Sequence, residues 1–310
     1  MSNVTNQMFS GALSGFATTT FLQPFDLLKT RMQQGDGRIR SNRGVSLVTG
    51  TLQDVLATRG WKGLWRGTEA SLMRNVPGVA MYMTCLTQLR TWMATSPYFT
   101  SYRQQPFPDN PNASVLPKLT NTGNLLAGAT TRVAVGLLLN PFSVLKARYE
   151  SDMYAYKSLG GALSSIAKQG PQELLRGFMA SALRDAPYAG LFVVFYEGIK
   201  REAMYLTPPT STSHSTLVHG ISAATAGAMA TMVTQPFDVI KTKIQVRRED
   251  RYHGFFKTVG TIWNQRGISG YFDGASLRMS RKVLSSALGW AVYEGFLMFV
   301  RASNRQVEHS

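Results

Sequence analysis

The chain has 310 residues and carries 33 lysines and arginines against 17 aspartates and glutamates, a formal net charge of +16. Such a basic excess favours polyanionic partners, either nucleic acid or anionic lipid headgroups. The single cysteine, Cys85, excludes an intrachain disulfide and a thiolate metal cluster. The four histidines form no recognisable ligand pattern, and no nucleophile–base pair is evident. The sequence therefore predicts neither an enzyme nor a metal or cofactor site.

Hydrophobic segments are present but interrupted. The mean hydropathy is close to zero, and no uninterrupted run of about eighteen apolar residues marks a spanning helix. The N-terminus MSNVTNQMFSG lacks the basic flank of a signal peptide and the arginine-rich amphipathicity of a transit peptide. Any targeting information is therefore expected to lie inside the chain.

The first hundred residues contain a helix–surface helix–helix pattern. A segment rich in small residues, FSGALSGFATTTFL, leads into QPFDLLKTR at 23–31, and small residues let membrane helices approach closely. An amphipathic stretch at 46–60 follows, and GWKGLWRG at 60–67 precedes a helix-length segment at 68–93. Each part is the length of one helix or one connecting turn.

The same order returns twice. Its later copies are NPFSVLKAR at 140–148, GPQELLRG at 170–177 and a helix at 178–203, then QPFDVIKTK at 235–243, GISGYFDG at 267–274 and a helix at 275–300. Three tandem repeats are therefore predicted, at 1–100, 101–210 and 211–310, which together make one transmembrane domain. The predicted fold is an all-α membrane protein with six transmembrane helices and pseudo-threefold symmetry around a central cavity.

The repeated motifs resemble those of the mitochondrial carrier family. Pro-x-acid-x-x-basic-x-basic followed by aromatic-basic-Gly occurs three times between about residues 6 and 300, although Ser143, Leu175 and Asp273 depart from the pattern. The resemblance implies a monomeric inner-membrane transporter whose cavity opens alternately to the intermembrane space and the matrix. Basic residues crowd the loops within repeats, so the positive-inside tendency places these loops on one face and both termini on the other, the intermembrane space.

The resemblance implies a gate at each end of the cavity. The matrix gate is expected to comprise the helix-kinking Pro24, Pro141 and Pro236 together with Asp26, Lys29, Lys146, Asp238, Lys241, Gln33 and Gln245. Asp26 is expected to pair with Lys146, and Asp238 with Lys29. Lys241 faces Ser143 instead of an acid, and Glu150 fills the third position of the bracing glutamines. The cytoplasmic gate falls on Arg90, Glu197, Lys200 and Glu294, of which Glu294 and Arg90 form the expected charge pair.

An arginine stands seven residues after the glycine of each second motif. These arginines and their neighbours are the expected substrate contacts: Arg74, Asn75, Arg184, Asp185, Arg281 and Lys282. Arginine binds a carboxylate or a phosphate through two parallel hydrogen bonds. In the family an arginine followed by an acid on the fourth helix is typical of amino-acid carriers. Arg184 is therefore expected to hold an α-carboxylate and Asp185 an α-ammonium; the alternative is an internal salt bridge that orients Arg184.

Arg132 is a further candidate for substrate binding. It stands where the first and third repeats have Gly15 and Gly227, and a long cation there is expected to enter the cavity or to find a buried acid such as Asp185. Together with the other arginines it makes the predicted cavity cationic. This excess keeps anionic substrates among the alternatives.

The resemblance favours import of a small amino acid, with glycine for 5-aminolevulinate and haem synthesis as the expected substrate. Glycine needs recognition of only a carboxylate and an ammonium group. One alternative is a carrier of a small phosphorylated or pyrophosphorylated metabolite, in which Asp185 is a spectator or a proton-coupling group. The other is a basic soluble protein that binds nucleic acid, which salt would extract without detergent.

The second motifs also predict lipid sites. Two of these motifs end at predicted helix N-termini, where backbone N–H groups attract phosphate. Their residues are Trp65, Arg66 and Gly67 in the first repeat and Arg176 and Gly177 in the second. In the family such sites bind cardiolipin, so structural cardiolipin is expected. The third site is expected to be weaker because Asp273 would repel phosphate. Cardiolipin and inner-membrane lipids, not nucleic acid, are the expected partners besides the substrate.

Overall fold

The computed structural model describes residues 2–35, 45–96, 98–99, 119–156, 158–206, 212–285, 288 and 295. Regular structure in these ranges is helical. The α-helices are α1 (Ser2–Gln34), α2 (Val45–Arg59), α3 (Thr68–Met93), α4 (Asn121–Leu138), α5 (Asn140–Glu150), α6 (Leu159–Lys168), α7 (Pro171–Leu174), α8 (Phe178–Leu206), α9 (Thr212–Val233), α10 (Gln235–Val246), α11 (Phe255–Arg266) and α12 (275–285). Short 3₁₀ helices occupy Trp61–Trp65, Asp250–Tyr252 and Gly267–Phe272.

The predicted helix–surface helix–helix order agrees with these elements. The segments predicted at 46–60, 68–93 and 178–203 correspond to α2, α3 and α8, which ends three residues beyond the predicted limit. Side-chain caps fix two of the other starts: Thr120 accepts a hydrogen bond from the Gly123 N–H at 3.1 Å, and Ser158 accepts one from the Gly161 N–H at 3.2 Å. The C-terminal part of the helix predicted at 275–300 lies mostly outside the described residues.

The three motif prolines differ in what they do to the helix. Pro141 follows a break between α4 and α5, where Thr122–Leu138 and Asn140–Glu150 meet at a 67° bend. Pro236 likewise stands in the first turn of α10, after α9 has ended at Val233. Pro24 lies inside the continuous helix α1. Because proline has no N–H to donate, it is tolerated best where a new helix begins.

Hydropathy alone singles out one region for membrane insertion. Within the described residues no single helix has both the length and the apolar character needed to span a membrane. The bent pair Thr122–Leu138 and Asn140–Glu150 meets both conditions by length and composition.

The chain divides into two compact units. The first unit consists of Met1–Val76, Pro141–Gly177 and Val239–Ser310, and the second consists of Pro77–Asn140 and Phe178–Asp238. Each of the three repeats contributes to both units. The repeats defined by sequence are therefore not the units defined by packing.

The first unit is built around the proline-motif helices and the surface helices. Leu27 of α1 and Val55 of α2 are fully buried together with Leu64 of the 3₁₀ helix. A second cluster joins Leu145 of α5 to Ile166 of α6. The surface helices thus bury their apolar faces against the ends of α1 and α5, which positions the charged residues on those two helices.

The second unit is organised around α8, which packs against both α4 and α9. Gly227 of α9 faces α8, since a Cβ there would be in ordinary contact with Phe192 and the Tyr188 hydroxyl, each at 3.8 Å. Tyr188, Phe192 and Tyr196 recur every fourth residue along α8 and stack with centroid separations of 6.4 and 6.1 Å. One turn before Tyr188 on the same helix stands Arg184.

The glycine that ends each second motif makes the turn into the following helix. Gly67, Gly177 and Gly274 have φ values of +90°, +73° and +71°, a region that residues with a Cβ rarely adopt. At Gly67 a Cβ would also lie 3.2 Å from Glu150 Cγ and 3.3 Å from Gln23 Nε2. This glycine therefore brings the turn directly against two buried polar side chains.

Candidate functional site

Arg184 and Asp185, near the start of α8, form a two-bond ion pair. Arg184 donates from Nε to Asp185 Oδ1 at 2.7 Å and from Nη2 to Asp185 Oδ2 at 2.9 Å. Adjacent residues on a helix do not face each other, so the long arginine side chain must curl back to make this contact. The Arg184 side chain is 16% exposed and that of Asp185 is 31% exposed. The pair is thus partly open to a ligand.

A second carboxylate holds the same guanidinium. Arg184 donates from Nη1 to Oδ1 of Asp238 at 2.9 Å, and the Asp238 side chain is 1% exposed. Asp238 lies in the first turn of α10, where the resemblance predicted a gate residue paired with Lys29. A buried carboxylate is tolerated when it is paired and hydrogen-bonded. The structure therefore joins a predicted gate residue to a predicted substrate contact.

The ion pair of Arg184 and Asp185 corresponds to the internal salt bridge, which was the alternative prediction to a zwitterion site. The two roles are compatible. Asp185 presents its two oxygens to two parallel N–H groups, which is the geometry that a ligand carboxylate would adopt on Arg184. The guanidinium is thus already aligned for two-bond recognition of a carboxylate.

Arg132 contacts an aromatic ring. Its side chain, on α4, is exposed, and its guanidinium carbon lies 4.5 Å from the centroid of the Tyr82 ring. A cation over a ring face is attracted by the ring quadrupole. The contact described for Arg132 is thus an aromatic ring and not a buried acid, and the other expected outcome, entry of its side chain into the cavity, stays a prediction. Motif spacing does not predict this contact, because Tyr82 belongs to another repeat.

The first unit contains a second cluster of charges. Lys146 donates from Nζ to Asp26 Oδ2 at 2.6 Å, the contact that the resemblance predicted. Arg281 of α12 forms a further ion pair with Asp26. Lys146 also lies 3.5 Å from Oε1 of Glu150, four residues later on α5. The Glu150 side chain is only 3% exposed, whereas those of Asp26 and Lys146 are 12% and 13% exposed.

Neutral donors from α1 complete the surroundings of Glu150. The Thr30 hydroxyl donates to Glu150 Oε2 at 2.7 Å, and the Gln23 amide donates to Glu150 Oε1 at 3.2 Å. Gln23 also donates to the carbonyl oxygen of Arg66 at 3.0 Å. Glu150 thus receives hydrogen bonds from α1 while Lys146 donates one to α1.

The glutamines at the equivalent positions behave differently. Gln33 donates to the Asp273 carbonyl at 3.3 Å, and Gln245 donates to the Arg176 carbonyl at 3.2 Å. A carboxylate has no N–H to donate, so Gln23 supplies the corresponding bond to Arg66. Gln245 Nε2 also lies 3.5 Å from Oγ of Ser143, the residue that occupies the acidic motif position of the second repeat.

The remaining predicted substrate contacts are placed as follows. Asn75 donates to the Thr19 hydroxyl at 3.2 Å. Arg74 is half-buried and Lys282 is exposed. Arg281 forms an ion pair with Asp26.

The predicted cytoplasmic gate is described only in part. Glu294 lies outside the described residues, so its pairing with Arg90 stays a prediction. Glu197 is exposed, and Lys200 Nζ lies 5.9 Å from the ring centroid of Tyr196, one turn earlier on α8. Arg90 is half-buried near the end of α3.

The first predicted lipid site coincides with a cavity of about 420 Å³ in the first unit, whose lining includes one carboxylate, that of Glu69, besides Trp65, Arg66, Gly67, Thr68, Ala70, Tyr149 and Leu159. Arg66 donates from Nη2 to the Tyr154 carbonyl at 2.6 Å. Burial, followed by the charges of Arg59 and Arg31, lowers the pKa of Arg66. The backbone N–H groups at the start of α3, not the bonded end of Arg66, are therefore the donors best placed for a phosphate.

The other two second motifs also turn their charged side chains inward. Arg176 donates to Glu173 at 2.8 Å and to the Arg247 carbonyl at 2.7 Å. Asp273 is 8% exposed and pairs with Arg266. Burial raises the pKa of Asp273, whereas the charges of Arg266 and Lys243 act in the opposite direction. The carboxylate of Asp273 is thus paired inside the protein, and the weaker binding of phosphate at the third motif stays a prediction.

Comparison with known proteins identifies the repeats. The family model described as mitochondrial carrier protein matches residues 1–97, 117–205 and 212–304. A mitochondrial glycine transporter of Laccaria bicolor is 68% identical over 308 residues, covering 98% of this chain and 100% of its own. Mitochondrial glycine transporters of Coccidioides immitis and Aspergillus clavatus are each 40% identical, covering 96% of this chain and 91% and 90% of their own. The family model thus matches three successive segments of the chain.

Proposed function

Because the chain belongs to the mitochondrial carrier family, we propose that it imports glycine across the inner mitochondrial membrane by alternating access, as a supply for haem synthesis. The relatives named above are glycine transporters, and their similarity extends over nearly all of this chain. The observation in the molecule that carries the proposal is the two-bond pair of Arg184 and Asp185 on α8.

Glycine is a zwitterion, so it can take the place of Asp185 on Arg184 and of Arg184 on Asp185. Its carboxylate takes the Nε and Nη2 donors of Arg184, and its ammonium then gives Asp185 a new cation. Neither side chain loses a charged partner without receiving another. The exchange therefore avoids the cost of leaving a partly buried charge uncompensated, about 3–5 kcal/mol when one partner of a buried pair is removed.

Asp238 supplies the anchor for this exchange. Its bond to Nη1 uses a donor that Asp185 does not use, so it holds the guanidinium while the other two donors change partner. A fixed guanidinium loses less side-chain entropy when the ligand binds. We assign Asp185 to ammonium recognition, Arg184 to carboxylate recognition and Asp238 to the orientation of Arg184.

The same geometry disfavours a small anion as the substrate. A phosphate would displace Asp185 from Arg184 but would bring no cation to replace the lost partner. Bringing a second anion next to the Asp185 carboxylate also adds like-charge repulsion. The pair thus supports a substrate that carries both charges.

The other assignments that resemblance implies remain part of the proposal. Arg74, Asn75, Arg132, Arg281 and Lys282 are assigned to further substrate contacts. The matrix gate is assigned to the charged residues that follow the motif prolines, and the cytoplasmic gate to Arg90, Glu197, Lys200 and Glu294. Structural cardiolipin is assigned to the turns ending at Gly67 and Gly177, both termini to the intermembrane space, and the working unit to the monomer.

The direct test is uptake of labelled glycine by purified protein in cardiolipin-containing liposomes, with unlabelled small amino acids and phosphorylated metabolites as competitors. We expect saturable uptake that only small amino acids inhibit. Asp185→Asn should lower glycine uptake about 10- to 100-fold, the equivalent of one charge-assisted hydrogen bond. Uptake of a phosphorylated anion by folded protein, spared or improved by Asp185→Asn, would overturn the glycine assignment.

A further inference from the structure

We propose that Glu150 is a positioning residue of the transport cycle: it is a second acceptor to which Lys146 passes from Asp26 when the matrix gate opens. The inference rests on the proposed transport function and adds a residue and a step to it. The proposal is based on the placement of two carboxylates around Lys146. One belongs to Asp26 of α1 and the other to Glu150 of α5.

The distances show which carboxylate holds Lys146 in the described state. Lys146 Nζ lies 2.6 Å from Asp26 on α1 and 3.5 Å from Glu150 on α5. Glu150 is four residues after Lys146, a spacing that lets two side chains of one helix meet. Lys146 can therefore tighten its contact with Glu150 by a side-chain rotation, without any movement of α5.

Glu150 is held by α1 in the same state. Its oxygens accept hydrogen bonds from Thr30 at 2.7 Å and from Gln23 at 3.2 Å. Lys146 and Glu150 therefore both make their shortest contacts with residues of α1. If α1 and α5 separate, both residues lose these contacts together, and each is the nearest replacement for the other.

The charge of Asp26 on α1 also keeps a partner when Lys146 leaves it. Asp26 keeps its ion pair with Arg281, and Lys29 lies one turn further along the same helix. Opening therefore leaves Asp26 paired on one side and Lys146 paired with Glu150 on the other. A neutral glutamine at position 150 would offer Lys146 only an amide oxygen.

The sequence of α5 indicates that this arrangement is specific to the second repeat. At the acidic motif position the first and third repeats have Asp26 and Asp238, whereas the second has Ser143. At the brace position the first and third repeats have Gln33 and Gln245, whereas the second has Glu150. The carboxylate absent from one end of α5 is present at its other end, beside Lys146.

Glu150→Gln tests the charge while keeping the size of the side chain. Its amide oxygen can still accept from Gln23, and its NH2 group can donate to the hydroxyl oxygen of Thr30, so we expect an unfolding midpoint close to that of the wild type. The maximal transport rate should fall about tenfold, with KM changed by less than about twofold, because the opened state and not the substrate contact is affected. Glu202→Gln, at a 69% exposed position on α8, is the matched control and should transport like the wild type.

Two further variants separate charge from shape. Glu150→Asp keeps the charge but shortens the side chain, so it should transport faster than Glu150→Gln; a packing role would give the reverse order. In a Lys146→Gln background, Glu150→Gln should cause no further loss, since the lysine it serves is absent.

All rates are measured on the substrate that the wild-type protein carries, whether glycine or an anion from the competitor panel. Failure of glycine uptake would thus refute the proposed substrate, while the Glu150 series would still decide this inference. Wild-type rates in Glu150→Gln, a slower Glu150→Asp than Glu150→Gln, or an undiminished effect in the Lys146→Gln background would each overturn it.

Discussion

The two charged clusters use the same arrangement at different exposures. In the second unit, Arg184 is held by Asp185 from its own helix and by Asp238 from a proline motif. In the first unit, Lys146 is held by Glu150 from its own helix and by Asp26 from the equivalent position of another proline motif. Each cation thus has one carboxylate from its own helix and one from a different helix.

The difference lies in the carboxylate on the cation's own helix. Asp185 is 31% exposed, whereas Glu150 is 3% exposed. An exposed carboxylate can be displaced by a ligand from solution, but a buried one can only exchange partners with its neighbours. The same chemistry therefore serves recognition in one cluster and, as we propose, gating in the other.

Exchanging the two types of cation is the strongest test of this contrast. Arg184→Lys replaces a planar group that makes two parallel hydrogen bonds with a point charge, so glycine uptake should fall about 100-fold. Lys146→Arg keeps a charge between two buried carboxylates and should reduce the uptake rate only about threefold. Both variants are measured in the liposome assay after their thermal unfolding has been compared with that of the wild type. Equal losses would show that the two clusters do not have different roles.

Sequence reasoning located the elements better than the contacts. The α3 boundaries at 68 and 93 were predictable because a glycine turn precedes the helix and its length suits one membrane crossing. The contact between Asp26 and Lys146 was predictable because both residues occupy repeated motif positions. Repetition in the sequence thus carries information about backbone position and about contacts between equivalent side chains.

Contacts that depend on the direction of a long side chain were not predictable. Arg184 reaches Asp238, and Arg132 reaches Tyr82, through several rotatable bonds whose rotamers no spacing rule fixes. The sharing of Lys146 was also missed, because Glu150 stands at a position normally occupied by a neutral brace. Its burial and its donors on α1 became apparent only in three dimensions.

Removing the proline-motif carboxylate of each cluster should have a smaller effect on uptake, but it should affect the kinetic constants differently in the two clusters. Asp238→Asn should raise the KM for glycine about tenfold, because Arg184 loses the charge that anchors it. Asp26→Asn should change the rate and raise KM less than Asp238→Asn does, by about threefold, because Lys146 keeps Glu150 although Arg281, an assigned substrate contact, loses a charged partner. Kinetics of uptake over a range of glycine concentrations distinguish the two effects. Equal rises in KM would mean that Asp26 acts at the substrate as strongly as Asp238 does.

The turn against Glu150 provides a stability test of the first unit. Gly67→Ala places a Cβ at a φ of +90° and within 3.2 Å of Glu150, so we expect a loss of about 1–2 kcal/mol. Gly50→Ala in the interior of α2 meets no atom within 4 Å and should stabilise by up to about 1 kcal/mol. Thermal unfolding with and without cardiolipin measures both. A loss of stability in Gly50→Ala but not in Gly67→Ala would contradict the described turn.

The smallest expected effect concerns Asp273, a buried carboxylate of the first unit that has Arg266 as its cation. Burial raises its pKa, so the folded protein binds this proton more tightly than the unfolded chain does. The stability gained from this is present below the unfolded pKa and is lost as pH rises through the raised folded pKa. Asp273→Asn should therefore be slightly more stable than the wild type at neutral pH, by about 2 °C in the unfolding midpoint, and less dependent on pH.

The exposed Asp250→Asn is the matched control for this prediction and should unfold like the wild type at neutral pH. Arg266, whose side chain is 27% exposed, can be solvated once the carboxylate is removed, so it adds little cost to Asp273→Asn. If Asp273→Asn is instead less stable at neutral pH, the ion pair with Arg266 outweighs the cost of burial. A buried and paired carboxylate would then be favourable in its own right, and the sharing of Arg184 and of Lys146 between two carboxylates would need no functional explanation.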